Sequence, residues 1–152
     1  MIRILVAMER EAESLGVPCE VIGIGAADLP ETSGEDILVN IGYCGAAGLP
    51  PGSIVAPDEV RAYGDNTGKI LRTHFPCRHV TCFTAQEFVE KPCSEGASVY
   101  DMELDKVAGL PHRDLYVLKI VSDNLDEAAC EAFNDEGSWE KARRLLRSEN
   151  LI

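Results

Sequence analysis

Two carboxylates stand where packing alone would not place them. Glu11 lies three residues after Met8 and four before Leu15, so a helix starting at Glu9 turns it to the same side as Met8, Ala12 and Leu15. Burying even a neutral polar group without partners costs on the order of 2–7 kcal/mol, and an inward Glu therefore needs a partner or a task. Asp123 follows Leu115–Val121 (LYVLKIV) and Ser122, at the carboxyl end of the strongest buried-strand pattern in the chain. Aspartate is depleted from strands, and a carboxylate held there is suited to proton transfer. The third feature is the glycine series Gly42, Gly45 and Gly48 behind the apolar run Ile37–Ile41. Glycines there admit positive φ and let backbone N–H groups approach a ligand at a strand end; the same spacing also suits a tight strand exit with no ligand.

The elements that must position these residues follow from the hydrophobic pattern. Ile2–Met8 reads as a strand, and the helix after it stops at Gly16 before Pro18. Cys19–Ile24 is a second strand, closed by a weak Gly-rich turn at Gly23–Ala27, and Ile37–Ile41 a central one. Ser53–Ala56, Gly68–Thr73 and Val80–Phe83 are short strands, and Ala97–Tyr100 is extended. Thr84–Pro92 is a loop or broken helix that carries Phe88 and Val89; Phe88 suits either core packing or a ligand contact. Met102–Leu110 has helical spacing and is stopped by Gly109 and Pro111. Ser138 can cap a last helix whose apolar face is Trp139, Ala142, Leu145 and Leu146. Strands alternating with short helices give an α/β fold, a three-layer α/β/α arrangement around a mostly parallel or mixed central sheet, with residues 1–152 forming one domain.

Composition narrows the partners. With 26 acidic and 14 basic side chains the formal net charge is −12, a field that repels nucleic acid and anionic membrane surfaces. The apolar run at the N-terminus is too short for a secretory core or a membrane span, so the six cysteines are expected as reduced thiols in a cytoplasm. The series His74, Cys77, His79, Cys82 fits no standard metal-ligand spacing, and neither a metal nor another cofactor is expected.

Six stretches in series resemble the methylthioadenosine/S-adenosylhomocysteine nucleosidases of the purine nucleoside phosphorylase superfamily. They are ILVAMEREAESL, IGIGAAD, VNIGYCGAAGLPPGSIVAPDEVRAYGD, TAQEFV, YDMELDKVA and KIVSDNLDEA, and they span roughly residues 2–127 in order. The chain is shorter than is usual in that family, around Asp28–Asp36 and Gly64–His79. The resemblance implies that Glu11 activates the attacking water and that Asp123, supported by Ser122, protonates the purine N7. It implies that Met102 and Glu103 contact the ribose, with Glu103 accepting from sugar hydroxyls. Phe88 would stack on the base, backbone atoms of Val89 would read its edge, and the glycine strand would bring Tyr43, Cys44 and Gly45 to the substrate. Tyr43 stands where the family has a small hydroxyl residue and is expected to crowd the site; Lys119 stands where an Arg supports the ribose carboxylate.

Cleavage of an N-glycosidic bond to a purine calls for these residue types. The base leaves well only when protonated, the sugar becomes oxocarbenium-like beside carboxylates, and water needs a base. The implied function is hydrolysis of a purine nucleoside or 5′-thionucleoside, releasing free base, by a homodimer in which Arg61–Asn66, with Tyr63, closes the partner's pocket. A phosphate-dependent phosphorylase is a second reading, which Asn40 and Tyr43 disfavour because a phosphate site there has Arg and Ser. A non-catalytic nucleoside-binding protein is the third.

Overall fold

The computed structural model describes all 152 residues, in eight strands and four helices. Strand β1 (Ile2–Val6) leads into helix α1 (Glu9–Leu15), which Gly16 ends at φ 71° with its N–H on the Ala12 carbonyl. Strand β2 covers only Glu20–Val21, and the Gly-rich turn after it is a 3-10 turn at Ile24–Ala26. The central strand β3 runs Ile37–Ala47, so the expected exit at Ile41 does not occur. Then come β4 (Ile54–Ala62), β5 (Lys69–Ile70), β6 (Arg78–Thr84), β7 (Ser98–Asp101), α2 (Leu104–Ala108) and β8 (Asp114–Asp123). Helices α3 (Glu127–Ala132) and α4 (Glu136–Ser148) complete the chain.

The sheet is mixed, one of the two arrangements expected, and five of its strands close on themselves. β3 pairs with β8 in parallel, β8 with β4 antiparallel, β4 with β6 and β6 with β7 in parallel, and β7 returns antiparallel to β3. Outside that ring, β1 pairs in parallel with β3, β2 with β1, and β5 lies on β4. Two apolar clusters alternate along the strands: Leu38 and Val117 belong to one, Val39 and Leu118 to the other. Successive side chains face opposite sides of a strand, so these clusters lie on the two faces of the sheet. All five ring strands supply the first, which fills the ring and takes in Leu104 and Val107 of α2. The second packs Leu15 of α1 and Trp139, Ala142 and Leu146 of α4 on the outside.

Several local expectations are corrected. Gly42 and Gly45 lie inside β3 and only Gly48 has a positive φ, 79°, so the first two serve something other than a turn. The helix assigned to Met102–Leu110 begins at Leu104, with Glu103 as its cap residue. Asp135, not Ser138, caps α4: its carboxylate accepts from Gly137 N at 3.0 Å and from the Ser138 hydroxyl at 2.7 Å. Ser53–Ala56 is the start of a nine-residue strand, and Gly68–Thr73 shrinks to two residues.

Candidate active site

The ten residues to which the resemblance gives a catalytic or substrate contact all line one cleft of about 430 Å³, open to solvent at the carboxyl ends of β1, β3 and β8, whereas Gly42, Asn40 and Lys119 do not. The cleft begins in a gap in the sheet. Along one edge of β3, β1 pairs only as far as Asn40 and β7 only from Gly45. Tyr43 falls in that gap, and its backbone N–H donates to Glu11 Oε2 at 2.6 Å instead of to a strand. Glu11 Oε1 accepts from Ala7 N at 3.0 Å and Met8 N at 2.9 Å, the latter half of a capping box on α1. Three main-chain donors thus hold a carboxylate that is 1% exposed. Burial nevertheless pushes its pKa up, more than these hydrogen bonds and the Lys119 charge pull it down.

Gly42 and Gly45 make room for the acids. A Cβ on Gly42 would lie 2.5 Å from Glu11 Oε2, and one on Gly45 would lie 3.1 Å from Asp123 Oδ2 and 3.0 Å from the Leu125 side chain. Side-chain absence, not backbone freedom, is what β3 uses here. A register shift at Cys44/Gly45 sets Gly45 opposite Asp123. Asp123 is 1% exposed; Ser122 Oγ donates to its Oδ1 at 2.7 Å, and Leu125 N (2.9 Å) and Asp126 N (3.2 Å) donate to Oδ2. Leu125 takes φ 68°, an uncommon conformation for a non-glycine residue, in the turn that brings the Asp126 N–H onto the same oxygen as its own.

The third acid, Glu103, accepts from Gly25 N at 2.8 Å through Oε2. Its pKa is raised to about 7, first by burial and then by the neighbouring Asp101 carboxylate, with Lys119 opposing. Lys119 acts on Glu103 through its charge, while its direct ion pair is with Asp101, Nζ to Oδ2 at 3.0 Å, with both side chains buried inside the ring. Burial would lower the ammonium's pKa, but Asp101 and its neighbours raise it on balance, so it stays charged. Asp101 also accepts from Thr84 Oγ1 (2.7 Å) and from Leu104 N (2.8 Å), joining the base of the 84–92 loop to the start of α2.

The Thr84–Pro92 segment is an irregular loop after β6, and Phe88 and Val89 stand half-buried on it, outside both apolar clusters. They are shared by the cleft and a second cavity of about 830 Å³ on the far side of the loop. Met102 is half-buried at the end of β7. Tyr43 does not crowd the centre: its ring packs edge-on to Phe133 and Trp139, and its hydroxyl accepts from Trp139 Nε1 at 2.9 Å. Sequence reading missed Arg10, Asp101, Tyr100 and Cys130, which also line the cleft. The Arg10 guanidinium sits 4.7 Å from the Tyr43 ring centroid and donates to the Cys130 carbonyl at 3.0 Å. The carbonyls of Cys130 and Phe133 and the Tyr43 ring, all remote in sequence, set the direction of Arg10, so spacing alone held no signal for it. Asp101 had one: a lone acid ending a buried strand, the same signal as Asp123.

No protein-family profile and no curated protein matches the sequence. Solved structures do. An Asp-to-Asn variant of MTAN from Chlamydia trachomatis bound to MTA superposes with a TM-score of 0.80 at 15% identity, over 99% of this chain and 98% of that one. A futalosine hydrolase mutant of Helicobacter pylori gives 0.64 at 16% identity, over 97% and 96% of the two chains. The 5′-methylthioadenosine/S-adenosylhomocysteine nucleosidase of the same organism, with butyl-thio-DADMe-Immucillin-A, gives 0.63 at 16% over the same shares. The fold of this chain is the nucleosidase fold, which agrees with the family its motifs resemble.

Proposed function

We propose that the protein hydrolyses the N-glycosidic bond of a purine nucleoside or 5′-thionucleoside and releases the free base. One observation carries the reading. Glu11, Glu103 and Asp123 come from three separate stretches of sequence and converge, buried, on a single cleft. In this reading Asp123, oriented by Ser122, gives a proton to the leaving purine, and Glu11 takes one from water. Glu103 accepts from the sugar hydroxyls, while Met102, Tyr43, Cys44 and Gly45 wall the sugar. Phe88 stacks on the base, and the Val89 backbone reads its edge. The developing oxocarbenium charge then lies among carboxylates that are themselves buried in the wall of the cleft.

Phosphorolysis is disfavoured by the same geometry. An incoming phosphate would need main-chain donors and a cation, and the three N–H groups of Ala7, Met8 and Tyr43 are already filled by Glu11. Asn40, where an Arg would serve, does not line the cleft, and its amide donates to the Leu5 carbonyl at 3.3 Å.

The working form in this reading is a cytoplasmic homodimer. Six free cysteines support a reducing compartment, and exposed Ile70, Ile24 and Tyr63 support a further apolar contact. Tyr63 is tied to its own chain's purine loop, its hydroxyl donating to the Lys91 carbonyl at 2.8 Å, so it would reach a partner together with that loop. The test is incubation with methylthioadenosine, adenosine and inosine, each with and without phosphate. Free base at equal rates in both conditions is expected; phosphate-dependent release with a sugar 1-phosphate product would overturn the reading, and binding without release would favour a non-catalytic nucleoside protein.

A further inference from the structure

Gly25 is gripped on both of its backbone polar groups by the side chains of Glu103, the cap residue of α2, and Lys106, three residues on in that helix. Its N–H donates to Glu103 Oε2 at 2.8 Å, and its carbonyl accepts from Lys106 Nζ at 2.5 Å. The turn that carries Gly25 is closed by two backbone hydrogen bonds, Ala26 N to the Gly23 carbonyl at 3.0 Å and Asp28 N to the Ile22 carbonyl at 2.8 Å, and neither of them engages the N–H or carbonyl of Gly25. Gly23, Gly25 and Ala26 have φ of 82°, 71° and 58°, and the Ala26 value is uncommon for a residue with a Cβ. Ala26 is anchored in the ring's core, but Ile24 is 59% exposed and leans over the cleft.

Lys106 is exposed and forms no ion pair; the Gly25 carbonyl is the partner its ammonium has. On Glu103, Oε2 is taken by Gly25 and Oε1 makes no hydrogen bond within the chain. The N–H and the carbonyl of Gly25 belong to successive peptide groups, so the φ/ψ conformation of Gly25 joins the two contacts and sets the direction in which the unbonded Glu103 oxygen faces.

We propose that Lys106 is a positioning residue of this site: by holding the Gly25 carbonyl it keeps the Gly25 N–H on Glu103 Oε2, which presents Oε1 to a sugar hydroxyl and sets Ile24 over the sugar. This rests on the reading of Glu103 as the sugar-binding carboxylate. The groups facing Glu103 are Gly25, Asp101, Lys119 and, further off, Glu11. Lys106 acts on it only through Gly25. An arginine at 106 can reach the same carbonyl, and a methionine cannot donate to it.

The experiment compares wild type, Lys106→Met and Lys106→Arg by amide hydrogen exchange at Gly25 and by methylthioadenosine kinetics. In Lys106→Met, Gly25 exchange should quicken about tenfold as the clasp opens locally. KM should rise about 3–10-fold with kcat within about twofold, the signature of lost binding common to ground and transition states. Lys106→Arg should restore both, and the melting temperature should not move. Unchanged Gly25 exchange in Lys106→Met would show that there is no clasp, and unchanged KM that the clasp does not position Glu103. Wild-type protein that cleaves no nucleoside would overturn the role along with the reaction, and quickened Gly25 exchange would then separate that outcome from an absent clasp.

Discussion

Glu11 Oε2 occupies the space that a side chain at Gly42 would need, 2.5 Å from where the Cβ would stand. The residue whose carboxylate lies in the gap of β3 and the glycine that empties that gap are 31 positions apart in sequence, and each is explained only by the other. The proposed Gly42→Ala substitution must push Glu11 off its three main-chain donors. Turnover should fall by on the order of 100-fold, close to the effect of Glu11→Gln, with a stability cost of about 1–3 kcal/mol for overpacking. Steady-state base release and thermal melts check both numbers; normal turnover in Gly42→Ala would mean that Glu11 is not needed where it sits.

Asp123 should behave as an acid aimed at the leaving group. Asp123→Asn keeps the shape and the Leu125 contact but loses the proton, so kcat should fall about 100-fold or more while nucleoside affinity, measured by calorimetry, holds. Ser122→Ala should cost less, about 10-fold, because two main-chain donors still hold Oδ2. Near-normal turnover in Asp123→Asn would remove it from the mechanism.

How much of this was legible in the sequence differs by feature. Glu11 and Asp123 were readable because each breaks an apolar pattern, and a broken pattern is a local signal. The strands β3 and β8 were readable as apolar runs, but β3 was cut short because glycines read as a turn when a facing side chain is invisible. Ring closure depends on β4 meeting both β6 and β8, a non-local pairing that no stretch of sequence reports. Helix α3 was missed because EAACEA has no buried residue and so no periodicity, and it is held by its Asp126 cap, which accepts from Ala129 N at 3.1 Å. Sequence reading set Lys119 in support of Glu103, on which its charge does act, but not its direct ion pair with Asp101, which depends on where β7 ends.

The raised pKa of Glu103 gives a pH signature. Folded Glu103 titrates near 7 and unfolded Glu near 4.5, so between those values the folded state holds the extra proton. Stability should therefore fall as pH rises from about 4.5 to about 7, by on the order of 3 kcal/mol from this group. Glu103→Gln should flatten that slope. Affinity should move the other way, because the ionised carboxylate is the better acceptor for sugar hydroxyls, so kcat/KM should rise through pH 7. Chemical denaturation at several pH values and a pH–rate profile check the pair; a stability slope unchanged in Glu103→Gln would contradict the assignment.

If two copies complete the site, light scattering at micromolar concentration should give twice the chain mass, and dilution should lower specific activity as dimers part. A monomer with full activity would show that one chain closes its own cleft.

The most direct test follows the oxygen. Methylthioadenosine is cleaved in water enriched in oxygen-18, with phosphate present, and the sugar product is examined by mass spectrometry. Hydrolysis by a water that Glu11 activates predicts free adenine and a free sugar carrying one heavy oxygen at its anomeric carbon. A sugar 1-phosphate, or no cleavage by folded protein that binds the nucleoside, would contradict it.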